Sequence, residues 1–148
     1  MIKLVVSDVD GTLIKPGETR ISEKTLSLLG ELKEKGVLFA VASGRDYDAI
    51  RPLFGKIKND IIYITNNGGV VMYQGKVLCK TPIDKMLSVT IMNEMQKKRD
   101  CRVLLAGETG SYVSTYDTDF TRYLAEHGFS TENVKDFKEV KEPITKIS

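Results

Sequence analysis

Two carboxylates one residue apart, Asp8 and Asp10, follow a short apolar run, Ile2 to Ser7, that is rich in β-branched side chains. Such a run reads as a buried strand of a parallel sheet. Side chains alternate along an extended chain, so both acids project to the same side just beyond the strand. Ligands in open α/β sheets bind in the crevice outside the carboxyl ends of the strands. Two carboxylates converging there repel each other, and desolvation adds to the cost. A hard divalent cation relieves it, and Mg²⁺ typically sits between one or two carboxylates and a substrate phosphate. One carboxylate can then attack phosphorus and form an aspartyl-phosphate. The other can protonate the leaving oxygen and later activate water. The plain alternative is a turn and a cap, since Asp-Gly is common in turns. Placement directly after an apolar strand and before Gly11-Thr12-Leu13 argues against it.

Ser43-Gly44-Arg45 is the second group with chemistry. It falls between a strand end and a helix start, where free backbone N–H groups and the positive end of the helix dipole favour a phosphate. The Ser43 hydroxyl can donate to a phosphoryl oxygen, and Gly44 lets the backbone approach closely. An isolated Ser-Gly would read as an N-cap and turn. Its place after the second strand, beside the acidic pair after the first, favours the phosphate. Arg45 either touches substrate or pairs with Asp46 or Asp48, and the sequence leaves both open.

The elements that must position these residues alternate. After the first strand, Ser22 caps a helix running to about Lys35, with Leu26, Leu29 and Leu32 at helical spacing and Gly36 as its stop. Val37 to Ala42 is a second strand, Asp46 to about Phe54 a helix flawed by Pro52, and Ile61 to Thr65 a third strand closed by Asn66-Asn67-Gly68-Gly69. This order predicts an α/β domain with a parallel sheet. The pattern then changes. Val70 to Tyr73 and Lys76 to Cys79 flank Gln74-Gly75 as a hairpin. A helix is expected from Ile83 to about Arg99 with Met86, Leu87, Ile91 and Met95 on one side. Antiparallel strands over 102–106 and 112–116 follow, turning at 107–110, then a helix capped by Asp117 and stopped by Gly128. Residues 132–142 read as a charged loop, and 144–148 begin a strand. Tyr112, Tyr116, Phe120 and Tyr123 are expected in the core of this second part.

Composition sets the boundaries. The chain has 148 residues, 41% hydrophobic and 28% charged, with a net charge of +2. That is the balance of a globular protein, without the concentrated basic excess of a nucleic-acid binder. Cys79 and Cys101 form no metal-type motif, and two free thiols with no export signal fit a reducing cytoplasm. No apolar run approaches the ~20 residues of a membrane span. His127, the only histidine, falls at a helix end before Gly128, where positive charge is comfortable.

Asp8-Val9-Asp10-Gly11-Thr12-Leu13, Ala42-Ser43-Gly44-Arg45 and Thr65-Asn66-Asn67-Gly68-Gly69 together resemble the opening of the haloacid dehalogenase superfamily, and in particular the Cof-type phosphatases, which carry an inserted α+β cap. The resemblance covers roughly the first 80 residues strongly. It implies a Rossmann-like core half over residues 1–80 and the beginning of the cap over 81–148. It implies Asp8 as nucleophile and Mg²⁺ ligand, and Asp10 as general acid/base and metal ligand through its backbone carbonyl. Gly11, Ser43, Gly44 and Arg45 would hold the phosphate. The Asn66-Asn67-Gly68 loop would contact substrate or cap, or serve as a turn. A small phosphorylated metabolite, such as a sugar phosphate, would be the substrate.

Two motifs of that family, a lysine and a later acidic metal loop, are not recognisable here. Lys146 is a poor stand-in because no helix follows it. Two explanations compete, a piece of a longer enzyme, which is favoured, and a natural short relative that takes its missing groups from a partner chain; either way exposed edges invite homo-oligomers. Such a piece should bind metal weakly and hydrolyse slowly or not at all. Robust Mg²⁺-dependent hydrolysis of p-nitrophenyl phosphate by this chain, lost in Asp8→Asn, would refute that. The alternatives are a non-catalytic module with the same fold, and a receiver-like phosphoacceptor. The second lacks its acid at the end of strand three, where Asn66 and Asn67 stand.

Overall fold

The computed structural model describes residues 2–98, 100–108, 110–127 and 129–148. Arg99 and Gly128, the expected ends of two helices, and Thr109 of the 107–110 turn lie outside the described residues. The chain divides into two compact units, Met1–Lys80 and Thr81–Ser148.

In the first unit, β1 (Leu4–Asp8), β2 (Leu38–Ala42) and β3 (Ile61–Thr65) are parallel neighbours. An antiparallel hairpin, β4 (Val70–Tyr73) and β5 (Lys76–Lys80), extends the sheet in the order β1-β2-β3-β4-β5. The hairpin turns on Gln74 and Gly75, both at positive φ, which matches the twist of the paired strands. Helix α1 (Glu23–Glu34) starts where the Ser22 hydroxyl accepts the Thr25 N–H at 3.1 Å, and it stops at Gly36, whose φ of 70° a side chain would disfavour. Leu29 is buried, with Leu26 and Leu32 packed against the same core.

Helix α2 is shorter than expected. It spans Tyr47–Ile50, capped by the Asp46 carboxylate on the Ala49 N–H at 2.8 Å. Pro52 has no N–H to continue the helical bonding, and residues 51–57 tighten into a 3-10 turn instead. Ile50, Phe54 and Tyr63 are fully buried, and the rings of Tyr47 and Phe54 meet Tyr63 edge-on at 5.1 and 5.8 Å. Burial of an Ile or Phe side chain of this kind contributes about 1.5–3 kcal/mol.

The second unit has a four-stranded sheet in the order β8-β7-β6-β9. Its strands are β6 (Leu105–Ala106), β7 (Ser111–Ser114), β8 (Glu132–Val134) and β9 (Lys146–Ile147). Helices α3 (Lys85–Gln96) and α4 (Thr118–Glu126) complete it. Asp84 and Asp117 cap the two helices.

Three expectations are corrected in this unit. The buried side of α3 carries Ser88 and Met92, with Val89 and Met95 packed beside them, whereas Met86 is 80% exposed and Leu87 is also exposed. Of the expected face Met95 packs inward while Met86 and Leu87 do not, so spacing alone found the buried side only in part. Tyr116 and Tyr123 are exposed, and only Tyr112 of the expected aromatics joins the core of Met92, Val103, Leu105 and Phe137. Residues 132–142 contain β8, parallel to β7, and a 3-10 turn at Phe137–Glu139. As an edge strand, β8 has no alternating apolar pattern to reveal it.

Candidate functional site

The site of the first unit grows from the register of two strands. Asp8 pairs with Ala42 across the parallel β1–β2 ladder. Ser43 is therefore the next residue beyond the partner of Asp8, on a strand about 4.8 Å away. On the other side, Ala42 pairs with Ile64, and the Ser43 N–H donates to the Ile64 carbonyl at 2.9 Å. The carboxyl ends of three neighbouring strands thus bring Asp8, Ser43 and the Asn66 loop to one edge.

The acidic turn is closed tightly. Val9 is fully buried while Asp8 and Asp10 on either side of it are exposed, as alternation requires. The Val9 carbonyl accepts from Leu13 and Ile14, both at 2.9 Å. Gly11, at φ 81°, donates its N–H to the Ile14 carbonyl at 2.8 Å. The Asp8 carboxylate accepts the Val9 N–H at 2.8 Å.

Ser43 is buried, and its hydroxyl oxygen accepts the Arg45 N–H at 3.1 Å, leaving the hydroxyl proton able to point elsewhere. The Arg45 guanidinium pairs with neither Asp46 nor Asp48. It grips Asp10, with Nε 3.0 Å from Oδ2 and Nη2 2.7 Å from Oδ1. No local signal links residues 10 and 45. Their proximity follows only once Asp8 and Ala42 are known to be in register, since each lies two or three residues past that pair.

The loop after β3 is both a turn and a support. Asn66, Asn67 and Gly68 all have positive φ, a conformation that Asn and Gly tolerate best. The Asn66 N–H donates to the Arg45 carbonyl at 3.0 Å, and the Asn67 N–H to the Ser43 carbonyl at 3.1 Å. The loop therefore holds both ends of the Ser43-Gly44-Arg45 turn.

Hard oxygen donors are what this edge offers a metal. Among the described residues no cluster of three or more His, Cys, Asp or Glu could hold an ion. Asp8 and Asp10 still suit Mg²⁺, which keeps several waters and needs only one or two carboxylates. Lys146 belongs to β9 of the second unit, paired with Ala106. His127 ends α4, its Nδ1 2.7 Å from the Tyr123 carbonyl. Among the described residues, no helix is long and apolar enough to cross a membrane.

Sequence reasoning missed Glu142. Its carboxylate accepts the N–H groups of Glu108 and Gly110 at 2.8 and 3.0 Å and the Tyr112 hydroxyl at 2.6 Å. It thereby ties down the loop between β6 and β7. Gly107 and Gly110 leave room for it, since a Cβ on Gly107 would collide with the Glu142 side chain. Two glycines spaced around a loop were the available signal, but nothing local pointed to an acid more than thirty residues away.

Comparison with known proteins returns a family match over most of the chain. A family described as haloacid dehalogenase-like hydrolase matches residues 5–148. The chain is 27% identical over 125 residues to the 5-amino-6-(5-phospho-D-ribitylamino)uracil phosphatase YbjI of Escherichia coli K12, covering 84% of this chain and 46% of that protein. It is 35% identical over 85 residues to the HMP-PP phosphatase of Enterobacter sp. strain 638, covering 57% of this chain and 31% of that protein. A crystal structure from Eubacterium rectale superimposes with a TM-score of 0.85 at 27% identity, covering 97% of this chain and 55% of that one. The chain thus spans about half the length of such relatives, or less.

Proposed function

Because the chain belongs to the haloacid dehalogenase-like hydrolase family, we propose that its first unit supplies the nucleophile, the acid/base and the phosphate cradle of a Mg²⁺-dependent phosphatase acting on small phosphate monoesters. The observation that supports this reading is the register of Asp8 with Ala42, which brings Asp8 and the Ser43 turn to adjacent strand ends. The named phosphatases among the relatives act on small phosphorylated molecules, which supports the substrate class. On this reading residues 81–148 begin a cap that helps choose the substrate.

An Asp8 carboxylate oxygen attacks phosphorus as the bond to the leaving oxygen breaks, and Asp10 gives that oxygen a proton. The product is an aspartyl-phosphate on Asp8. Asp10 then takes a proton from water, which attacks phosphorus, breaks its bond to the Asp8 oxygen and releases inorganic phosphate. The Ser43 hydroxyl and the Gly44 backbone hold the phosphoryl oxygens throughout. The Asp8 carboxylate and the Asp10 backbone carbonyl would hold Mg²⁺, which would supply positive charge to offset the carboxylate and the phosphate.

Thermal unfolding with Mg²⁺ and inorganic phosphate, together and separately, tests the proposal. Phosphate should raise the midpoint only when Mg²⁺ is present, since a ligand that binds the folded state stabilises it. Ser43→Ala should lose most of that rise. No effect of either ion would favour a non-catalytic module built on the same fold.

A further inference from the structure

Arg45 is anchored at its backbone and held at its side chain by a different partner. Its N–H donates to Ser43 Oγ at 3.1 Å and its carbonyl accepts from Asn66 at 3.0 Å. Its guanidinium meets both oxygens of Asp10, at 3.0 and 2.7 Å. Resting on the phosphate-site reading above, we propose that Arg45 is a handover residue. Its guanidinium holds the Asp10 carboxylate, and an incoming phosphoryl group takes the guanidinium over and releases Asp10 for proton transfer.

Three observations support the exchange. A guanidinium fork matches carboxylate and phosphate geometry equally well, so the two anions compete for one donor pair. The pair lies open to solvent, with side chains 37% and 50% exposed, and exposed ion pairs are weakly held. A doubly charged oxyanion resting on the Ser43 turn is therefore able to displace a singly charged carboxylate. The backbone bonds of Arg45 to Ser43 and Asn66 keep the base of the side chain at the phosphate turn, so only the side chain has to swing. With both oxygens bonded to the guanidinium, Asp10 is engaged until phosphate takes Arg45 over, which couples substrate binding to the acid/base step.

A double-mutant cycle on phosphate affinity tests the handover. Calorimetric titration with inorganic phosphate at fixed Mg²⁺ would compare the wild-type chain, Asp10→Ala, Arg45→Ala and the double variant. Asp10→Ala should tighten phosphate binding by roughly three- to tenfold when Arg45 is present, the scale of coupled neighbours, and by much less in the Arg45→Ala background. Arg45→Lys should retain part of the coupling, because it keeps the charge and loses the fork. Equal gains in both backgrounds, with phosphate binding still weakened by Ser43→Ala, would overturn the handover alone. Failure of every variant to bind phosphate, or binding indifferent to Ser43→Ala, would overturn the phosphate site and the handover with it.

Discussion

The Asn67 side chain lies against Gly44 so closely that a Cβ added to the glycine would come within 2.7 Å of Asn67 Oδ1. Gly44→Ala therefore makes the exposed Asn67 side chain turn aside, and it should destabilise the first unit by about 0.5–1.5 kcal/mol, the cost of an off-rotamer side chain. Asn67→Gly in the same chain should recover much of it, since glycine removes the obstructing amide and accepts the positive φ of 57°. Urea unfolding of the two single variants and the double variant measures both effects. An additive double variant would show that the contact is not what makes alanine costly.

Ser43 has two roles that one substitution separates by readout. Its oxygen accepts the Arg45 N–H, so Ser43→Ala should cost about 1 kcal/mol of stability, the net worth of one hydrogen bond. The same change should weaken phosphate by roughly tenfold, the scale of a lost bond to a charged group. Ser43→Thr, which keeps the hydroxyl, should retain most of the affinity. Calorimetry with inorganic phosphate beside urea unfolding gives the two numbers.

The Glu142 clamp predicts a pH effect in the second unit. Burial, then the hydrogen bond to Glu142 and its charge, push the Tyr112 phenol above its ordinary value of 10.0. The unfolded tyrosine therefore loses its proton first. The stabilisation is full below about pH 10 and fades as pH rises past that value toward the higher pKa of the folded state. Tyr112→Phe should flatten this alkaline decline and should cost about 1 kcal/mol near neutrality through the lost bond to Glu142. Urea unfolding on either side of the phenol range distinguishes the two effects.

β1 forms one end of its sheet and carries exposed Leu4 and Val6, so it is an edge strand and not the buried strand its apolar run suggested. An open edge with apolar side chains favours strand addition. The chain should self-associate as concentration rises, and Val6→Lys should suppress this in sedimentation experiments. Unchanged association in Val6→Lys would exclude β1 as the contact.

Much of the first unit was legible because its signals were local. Apolar β-branched runs ending at Asp8, Ala42 and Thr65 marked the three parallel strands, and Ser22, Gly36 and Gln74-Gly75 marked caps and turns. The acidic pair and the serine turn could be placed together because parallel strands end on the same edge. The bonds that arrange the site were not legible. Arg45 reaches Asp10, and Asn67 supports Gly44, across strand neighbours that only the register defines. The second unit was read less well because its strands are short and its edge strand β8 is charged. Its α3 helix offers more than one apolar stripe, so burial there is decided by tertiary packing.

On the proposed chemistry, an Asp8 oxygen, beside Ser43, bonds to phosphorus. Beryllofluoride with Mg²⁺ mimics an aspartyl-phosphate without requiring turnover, and ¹⁹F NMR reports its bound fluorines. Bound signals are expected in the wild-type chain, persisting in Asp10→Asn and vanishing in Asp8→Asn. Signals that survive Asp8→Asn, or vanish instead with Asp10→Asn, would contradict that chemistry.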